Sequence, residues 1–142
     1  MTGDLRRVLH AVEDLGRLLT PSPIELEPIA DIRADNLLLS DNKLWVVDWP
    51  HAALGAEWMD LLLFLPSVAM QGGPKAWEIF DQHPTVAGAD PSDVDAVLCA
   101  FTGMLVVGAL APPPPGLPTV RTFQAALGRA ALEWLKGRLA WT

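Results

Sequence analysis

The chain has 142 residues, the length of one domain spanning 1–142, with 51% hydrophobic and only 19% charged residues. Globular domains usually carry about 25% charged residues, so the chain reads either as a well-packed helical domain or as one whose surface is partly covered by something outside the chain. A net charge of −7 excludes a nucleic-acid binder that grips the phosphate backbone through a basic face, and the single Cys99 excludes an internal disulfide or a Cys-based metal centre.

Leu5, Val8, Leu9, Val12, Leu15, Leu18 and Leu19 recur at helical spacing, and Pro21 and Pro23 stop the pattern, so residues 4–20 read as an amphipathic helix. Residues 24–29 read as a short extended piece. Leu37-Leu38-Leu39, the turn Ser40-Asp41-Asn42-Lys43 and Leu44-Trp45-Val46-Val47 read as a β-hairpin, because Asp41 and Asn42 tolerate left-handed backbone. A helix opening at Gly55-Ala56-Glu57-Trp58 is expected to kink or end at Pro66, and Gln71-Gly72-Gly73 to break the chain before a helix from Pro74 to about Gln82. Asp90 followed by Pro91 is a strong helix start, for a helix reaching about Leu110. Pro112–Pro115 form a rigid connector to a last helix, from about Pro118 to Leu139, with Phe123, Leu127, Ala130, Ala131, Trp134, Leu135 and Leu139 on its apolar side. The class is α+β, mainly helical.

The apolar run Ala96 to Ala111 is shorter than the ~20 residues that span a bilayer and contains Gly103 and Gly108, so it reads as a buried helix and no membrane is expected. Met1 to Arg7 lacks a signal-peptide apolar core, which makes the cytoplasm the expected location.

Asp31, Asn36 and Asp48 fall at loop–strand junctions, where functional groups are commonly presented. Asp48 stands out, because a carboxylate between Leu44-Trp45-Val46-Val47 and Trp49 sits where burial is expected, and a buried carboxylate is costly unless paired or bound to metal. One carboxylate facing an acceptor hydroxyl and two oxygen ligands for Mg²⁺ are what phosphoryl transfer requires.

The whole pattern runs Asp31-x₄-Asn36-Leu37-Leu38-Leu39, a turn, an apolar strand ending in Asp48-Trp49, then Gly55-x-x-Trp58-x-Asp60. It resembles the aminoglycoside phosphotransferase family and related small-molecule kinases of the protein-kinase-like fold, over roughly Ile29 to Leu65. The resemblance implies that Asp31 is the catalytic aspartate orienting the substrate hydroxyl, and that Asn36 and Asp48 ligate Mg²⁺. It also implies that Asp60 steadies the catalytic loop from the following helix. Arg33 and His51 become candidates for substrate or phosphate contact. ATP, Mg²⁺ and a small-molecule hydroxyl acceptor (an aminoglycoside, sugar, homoserine or choline) are implied as cofactor and substrates. The sequence departs from the family in two places. Ile29 stands where the family has a His two residues before the catalytic Asp. No Gly-rich loop precedes Asp31, and Lys43 is the first lysine. By resemblance, the chain is a C-terminal lobe whose hairpin carries the catalytic loop, without the N-terminal nucleotide lobe. It is expected to be incomplete or inactive alone, and to need an N-terminal lobe from elsewhere, either a separate polypeptide or residues missing from this version of the chain.

The alternative is a non-catalytic remnant serving as a binding or dimerisation module, with an exposed apolar face where the missing lobe would sit and a homodimer as the expected partner. A helical protein whose motif is coincidental is the third reading. His10 reads as a rim residue, and His83, before Pro84, reads as a helix-end residue interacting with the last carbonyls. Trp45, Trp49, Trp58, Trp77 and Trp134 read as core more readily than as groove wall. No serine lies in a Gly-x-Ser-x-Gly elbow. The pairs Asp31/Asp48 and Asp35/Asp60 would serve a glycosidase only at a carboxylate separation that sequence does not supply.

Overall fold

Residues 36–47 and 55–140 are described by the computed structural model of the chain. The expected helix at 4–20 and extended piece at 24–29 lie outside them. The described part is α+β and mainly helical. It begins with an antiparallel hairpin of β1 (Leu37–Ser40) and β2 (Lys43–Val46). Four helices follow, α1 (Met59–Met70), α2 (Ala76–Phe80), α3 (Pro91–Leu110) and α4 (Val120–Arg138), with a 3₁₀ turn at Pro84–Val86.

The hairpin turn is built as the sequence predicts. Asp41 and Asn42 both take positive φ, 49° and 61°, the backbone a two-residue turn needs to match strand twist. The register pairs Leu37 with Val46, Leu38 with Trp45 and Leu39 with Leu44. Because side chains alternate along a strand, Leu37 and Val46 share one face, and both pack against the helical core. Leu38 and Trp45 occupy the other face and stay about half exposed. Trp45 is therefore not a core residue.

α1 supplies most of the core. Leu61, Leu62, Phe64, Leu65 and Val68 are buried around it, as expected for a helix that is apolar on nearly every side. The helix does not end at Pro66 but runs four residues further, to Met70. A proline in a helix interior costs about 3 kcal/mol. Here it is offset by the burial of its neighbours, each fully buried aliphatic or aromatic side chain contributing roughly 1.5–3 kcal/mol. The helix stops instead at Gly72, which takes φ +84°. Gly72 N–H donates to the Ala69 carbonyl and Gly73 N–H to the Val68 carbonyl, closing a Schellman motif. A Cβ on Gly73 would lie 2.6 Å from Val68 Cγ1 and 2.8 Å from the Val68 carbonyl oxygen, so this close approach admits only glycine.

α2 is shorter than the sequence predicts, because Lys75 and not Pro74 caps it. Lys75 N–H donates to Glu78 Oε2 at 3.1 Å. His83 serves the preceding helix end through its backbone, its N–H donating to the Phe80 carbonyl at 3.1 Å, while its side chain turns to the next element. Its Nδ1 accepts from Thr85 N–H at 3.4 Å and meets the Thr85 hydroxyl at 2.8 Å, capping the 3₁₀ turn that follows. α3 starts as expected. Asp90 Oδ1 accepts from Ser92 N–H at 2.8 Å and from the Ser92 hydroxyl at 2.7 Å.

α4 binds the helices together. Its Trp134 is fully buried and meets Phe80 of α2 edge-on, ring centroids 5.1 Å apart, and Phe80 in turn meets Trp58, which precedes α1, at 6.5 Å. Further along α4, Leu127 and Ala131 pack with Leu105 of α3 in a smaller cluster bordered by Met70, Phe101 and Phe123. The two helices approach closely there, because a Cβ added at Gly128 would sit 3.3 Å from Leu105 Cβ. Arg138 Nε and Asp95 Oδ1, 2.5 Å apart, pin the other end of the same pair.

Among the described residues, two side-chain polar atoms are buried without a hydrogen bond, the Thr102 hydroxyl and Trp134 Nε1. An unpaired buried hydroxyl costs about 1–3 kcal/mol, and valine has nearly the shape and helix propensity of threonine. Thr102→Val is therefore expected to stabilise the protein by about 1 kcal/mol, seen as a higher denaturation midpoint at unchanged slope. Asp90 gives a pH signature. The Ser92 hydroxyl, and after it the Ser92 backbone N–H, hold its carboxyl below its ordinary value. A depressed folded-state pKa contributes stability above the unfolded value, and that stability is lost as pH falls through the folded one. Asp90→Ala is expected to lower Tm at neutral pH, with the gap from wild type closing as pH falls below the ordinary carboxylate range.

Candidate functional site

Asn36 and Asp60 are the two sequence-predicted site residues within the described part. Asp31, Arg33, Asp48 and His51 lie outside the described residues, as does Trp49. Asn36 directly precedes β1 and is 5% exposed. Its carbonyl accepts from Val47 N–H at 2.9 Å, which extends the ladder by one pair beyond Leu37–Val46 and draws the two ends of the hairpin together. Asn36 thereby sits opposite the residue that immediately precedes Asp48.

Asp60 is 7% exposed, in the first turn of α1. A carboxylate there is favoured by the positive end of the helix dipole. The turn leading into the helix is closed by Met59 N–H on the Ala56 carbonyl and Leu62 N–H on the Trp58 carbonyl. Asn36 and Asp60 both engage partners, as burial of such groups demands. They belong to elements that share a core, since Leu37, Val46 and Ala56 pack against the cluster formed by Trp58, Leu61 and their neighbours. Two buried polar residues are thus held at the edge of an apolar core, one at the mouth of a hairpin and the other at a helix start.

The sequence patterning singles out both residues, but not the exposed apolar face beside them. Leu38, Trp45 and Val47 are 54%, 55% and 36% exposed. Strand alternation alone makes Leu38 and Trp45 a matched pair; the low charged fraction and the open apolar face expected where a missing lobe would sit pointed to such a surface without locating it on the hairpin. Among the described residues, no group of three or more His, Cys, Asp or Glu side chains is placed to hold a metal ion. The described residues also include one helix, α3, long and apolar enough to cross a membrane.

No family model, curated protein or solved structure matches this chain.

Asp60 is buried and engages a partner, and losing such a buried interaction costs about 1–3 kcal/mol. Asp60→Ala is expected to lower the unfolding free energy by that amount in chemical denaturation. Glu57→Ala, three residues earlier and exposed, is expected to change it by less than about 0.5 kcal/mol.

Proposed function

We propose that the chain is the C-terminal catalytic lobe of an ATP-dependent small-molecule phosphotransferase, similar to the aminoglycoside phosphotransferases, and that it is incomplete by itself. The observation that supports this reading most directly is the pairing of Asn36 with Val47. It brings the amide predicted to ligate Mg²⁺ into register with the strand end that leads into Asp48. Buried Asp60, in the first turn of the next helix, fits the supporting role that the resemblance assigns to it.

In the proposed reaction, Asp31 orients the acceptor hydroxyl and receives its proton as the acceptor oxygen attacks the γ-phosphorus of ATP, with ADP leaving. Asn36 and Asp48 would hold Mg²⁺, whose hard-cation chemistry suits an amide and a carboxylate oxygen together with waters and phosphate oxygens. The ion would supply charge neutralisation on the phosphates. Arg33 and His51 are proposed to contact the substrate or its phosphate. The sequence before Asp31 contains no lysine and no Gly-rich loop, so the groups that grip and cover the phosphates in such enzymes would come from a lobe outside this sequence.

Calorimetric titration of the full chain tests the reading. Weak Mg²⁺ binding is expected, abolished by Asp48→Asn and by Asn36→Leu, with little or no ATP turnover. Mg²⁺ heats that neither substitution alters would overturn the metal assignment. Micromolar Mg²⁺–ATP affinity in the isolated chain would overturn its incompleteness.

A further inference from the structure

The sequence predicts a buried helix at 96–111, but the tertiary structure buries only one side of it. Val94, Leu98, Thr102 and Leu105 of α3 face the core, while Ala96, Cys99, Ala100, Gly103, Met104, Val107 and Leu110 are exposed. Met104 is 61% exposed, Val107 70% and Leu110 84%. Ala96, Ala100, Gly103, Val107 and Leu110 follow one another at alternating steps of four and three, the spacing of a helix–helix seam. No charged residue occurs between Asp95 and Arg121, so the seam is uncharged from Ala96 to the end of the helix.

We propose that this face is the interface of a two-fold symmetric homodimer, in which α3 of one copy packs antiparallel on α3 of the other, centred on Gly103. The inference does not depend on the phosphotransferase reading. Three features point to a second copy of this chain. The first is shape. Side chains are small in the N-terminal half of the seam (Ala96, Ala100) and large in the C-terminal half (Val107, Leu110). An antiparallel two-fold sets each small half against the large half of the other copy, with Gly103 at the axis allowing close approach. The second is charge. Arg121 donates from Nε to the Pro112 carbonyl at 3.1 Å and from Nη1 to Gln124 Oε1 at 2.8 Å, which fixes its guanidinium, with donors to spare, just beyond the C-terminal end of α3. In the antiparallel arrangement that level lies opposite Asp90 and Asp93 at the exposed N-terminal end of the second copy, and the two helix dipoles also oppose favourably. The third is area. The seam from Ala96 to Leu110 is about 21 Å long and continues into exposed Pro112–Pro115 and Leu117. The smaller specific interfaces bury ~1,200 Å² in total, and the seam with this extension offers a continuous uncharged strip for such a contact.

Lipid is the weaker occupant. Spanning a bilayer would strip α3 from α4, breaking the Leu105–Leu127–Ala131 cluster and the Asp95–Arg138 pair. Lying on a membrane surface is favoured by Lys and Arg on the polar face, and α3 has neither.

Sedimentation of the full chain across a concentration series is expected to show the 15.3 kDa monomer giving way to a species of twice that mass. Val107→Glu should weaken this association at least tenfold, while Leu38→Glu on the hairpin should leave it unchanged. Under mild oxidation, Cys99→Ser/Gly103→Cys is expected to give a covalent dimer. Wild-type protein should not, because two Cys99 residues placed symmetrically about Gly103 lie about 12 Å apart along the helices, beyond disulfide reach. Strict monomers at all concentrations would overturn the proposal. So would a dimer that survives Val107→Glu or is abolished by Leu38→Glu, or covalent dimers through wild-type Cys99. A protein that stays monomeric yet floats with phosphatidylglycerol vesicles would assign the face to lipid and overturn it as well.

Discussion

The fold depends on the edge-on contacts that run from Trp58 through Phe80 to Trp134. These rings come from the entry to α1, from α2 and from α4, and the core formed by Leu62, Leu65, Ala76 and Leu135 gathers around them. Aromatic pairs of this kind contribute about 0.5–1.5 kcal/mol each beyond the area they bury. The buried Trp134 at the centre would cost about 3–5 kcal/mol if truncated to alanine. Everything that positions the candidate site hangs from this line. Trp58 fixes where α1 begins, and the start of α1 fixes Asp60. The same cluster receives Leu37 and Val46, and so seats the hairpin whose mouth is Asn36.

This arrangement separates two kinds of polar burial. Asn36 and Asp60 are buried where the chain provides partners for them, at a strand end and a helix start, where backbone groups are left unpaired by the regular ladders. The Thr102 hydroxyl and the Trp134 indole N–H are buried because their apolar parts belong in the core, and their polar atoms are left unpaired there. The first kind fits a site that must hold its side chains in fixed positions, whereas the second is a residual cost of packing.

The apolar excess of the composition is also resolved unevenly. α1 buries nearly all of its hydrophobic side chains, since it lies under the hairpin, α2, α3 and α4. α3 meets α4 along one side only, and its seam of small and large residues remains open. The hairpin likewise gives Leu37 and Val46 to the core and leaves Leu38 and Trp45 outside. Both open faces follow from a single layer of packing partners, which can cover only one side of a strand or helix.

The sequence by itself determined the elements whose cause is local. The Asp41-Asn42 turn, the Asp90–Pro91 helix start and the Gly72–Gly73 stop each follow from backbone freedom or a side-chain cap within a few residues, and all are found where the sequence places them. It also marked Asn36 as a polar residue at the edge of an apolar run, and Asp60 through the Gly55-x-x-Trp58-x-Asp60 spacing that carries the family resemblance. Tertiary structure decided the rest. α1 passes through Pro66 because burial of Phe64, Leu65 and Val68 outweighs a missing backbone donor. Trp45 is exposed because the hairpin has one covered face and its register puts Trp45 on the other. α3, uniformly apolar in sequence, is half open because α4 covers only one of its sides. Local propensity is written in neighbouring residues, whereas which apolar face finds a partner depends on chain segments distant in sequence.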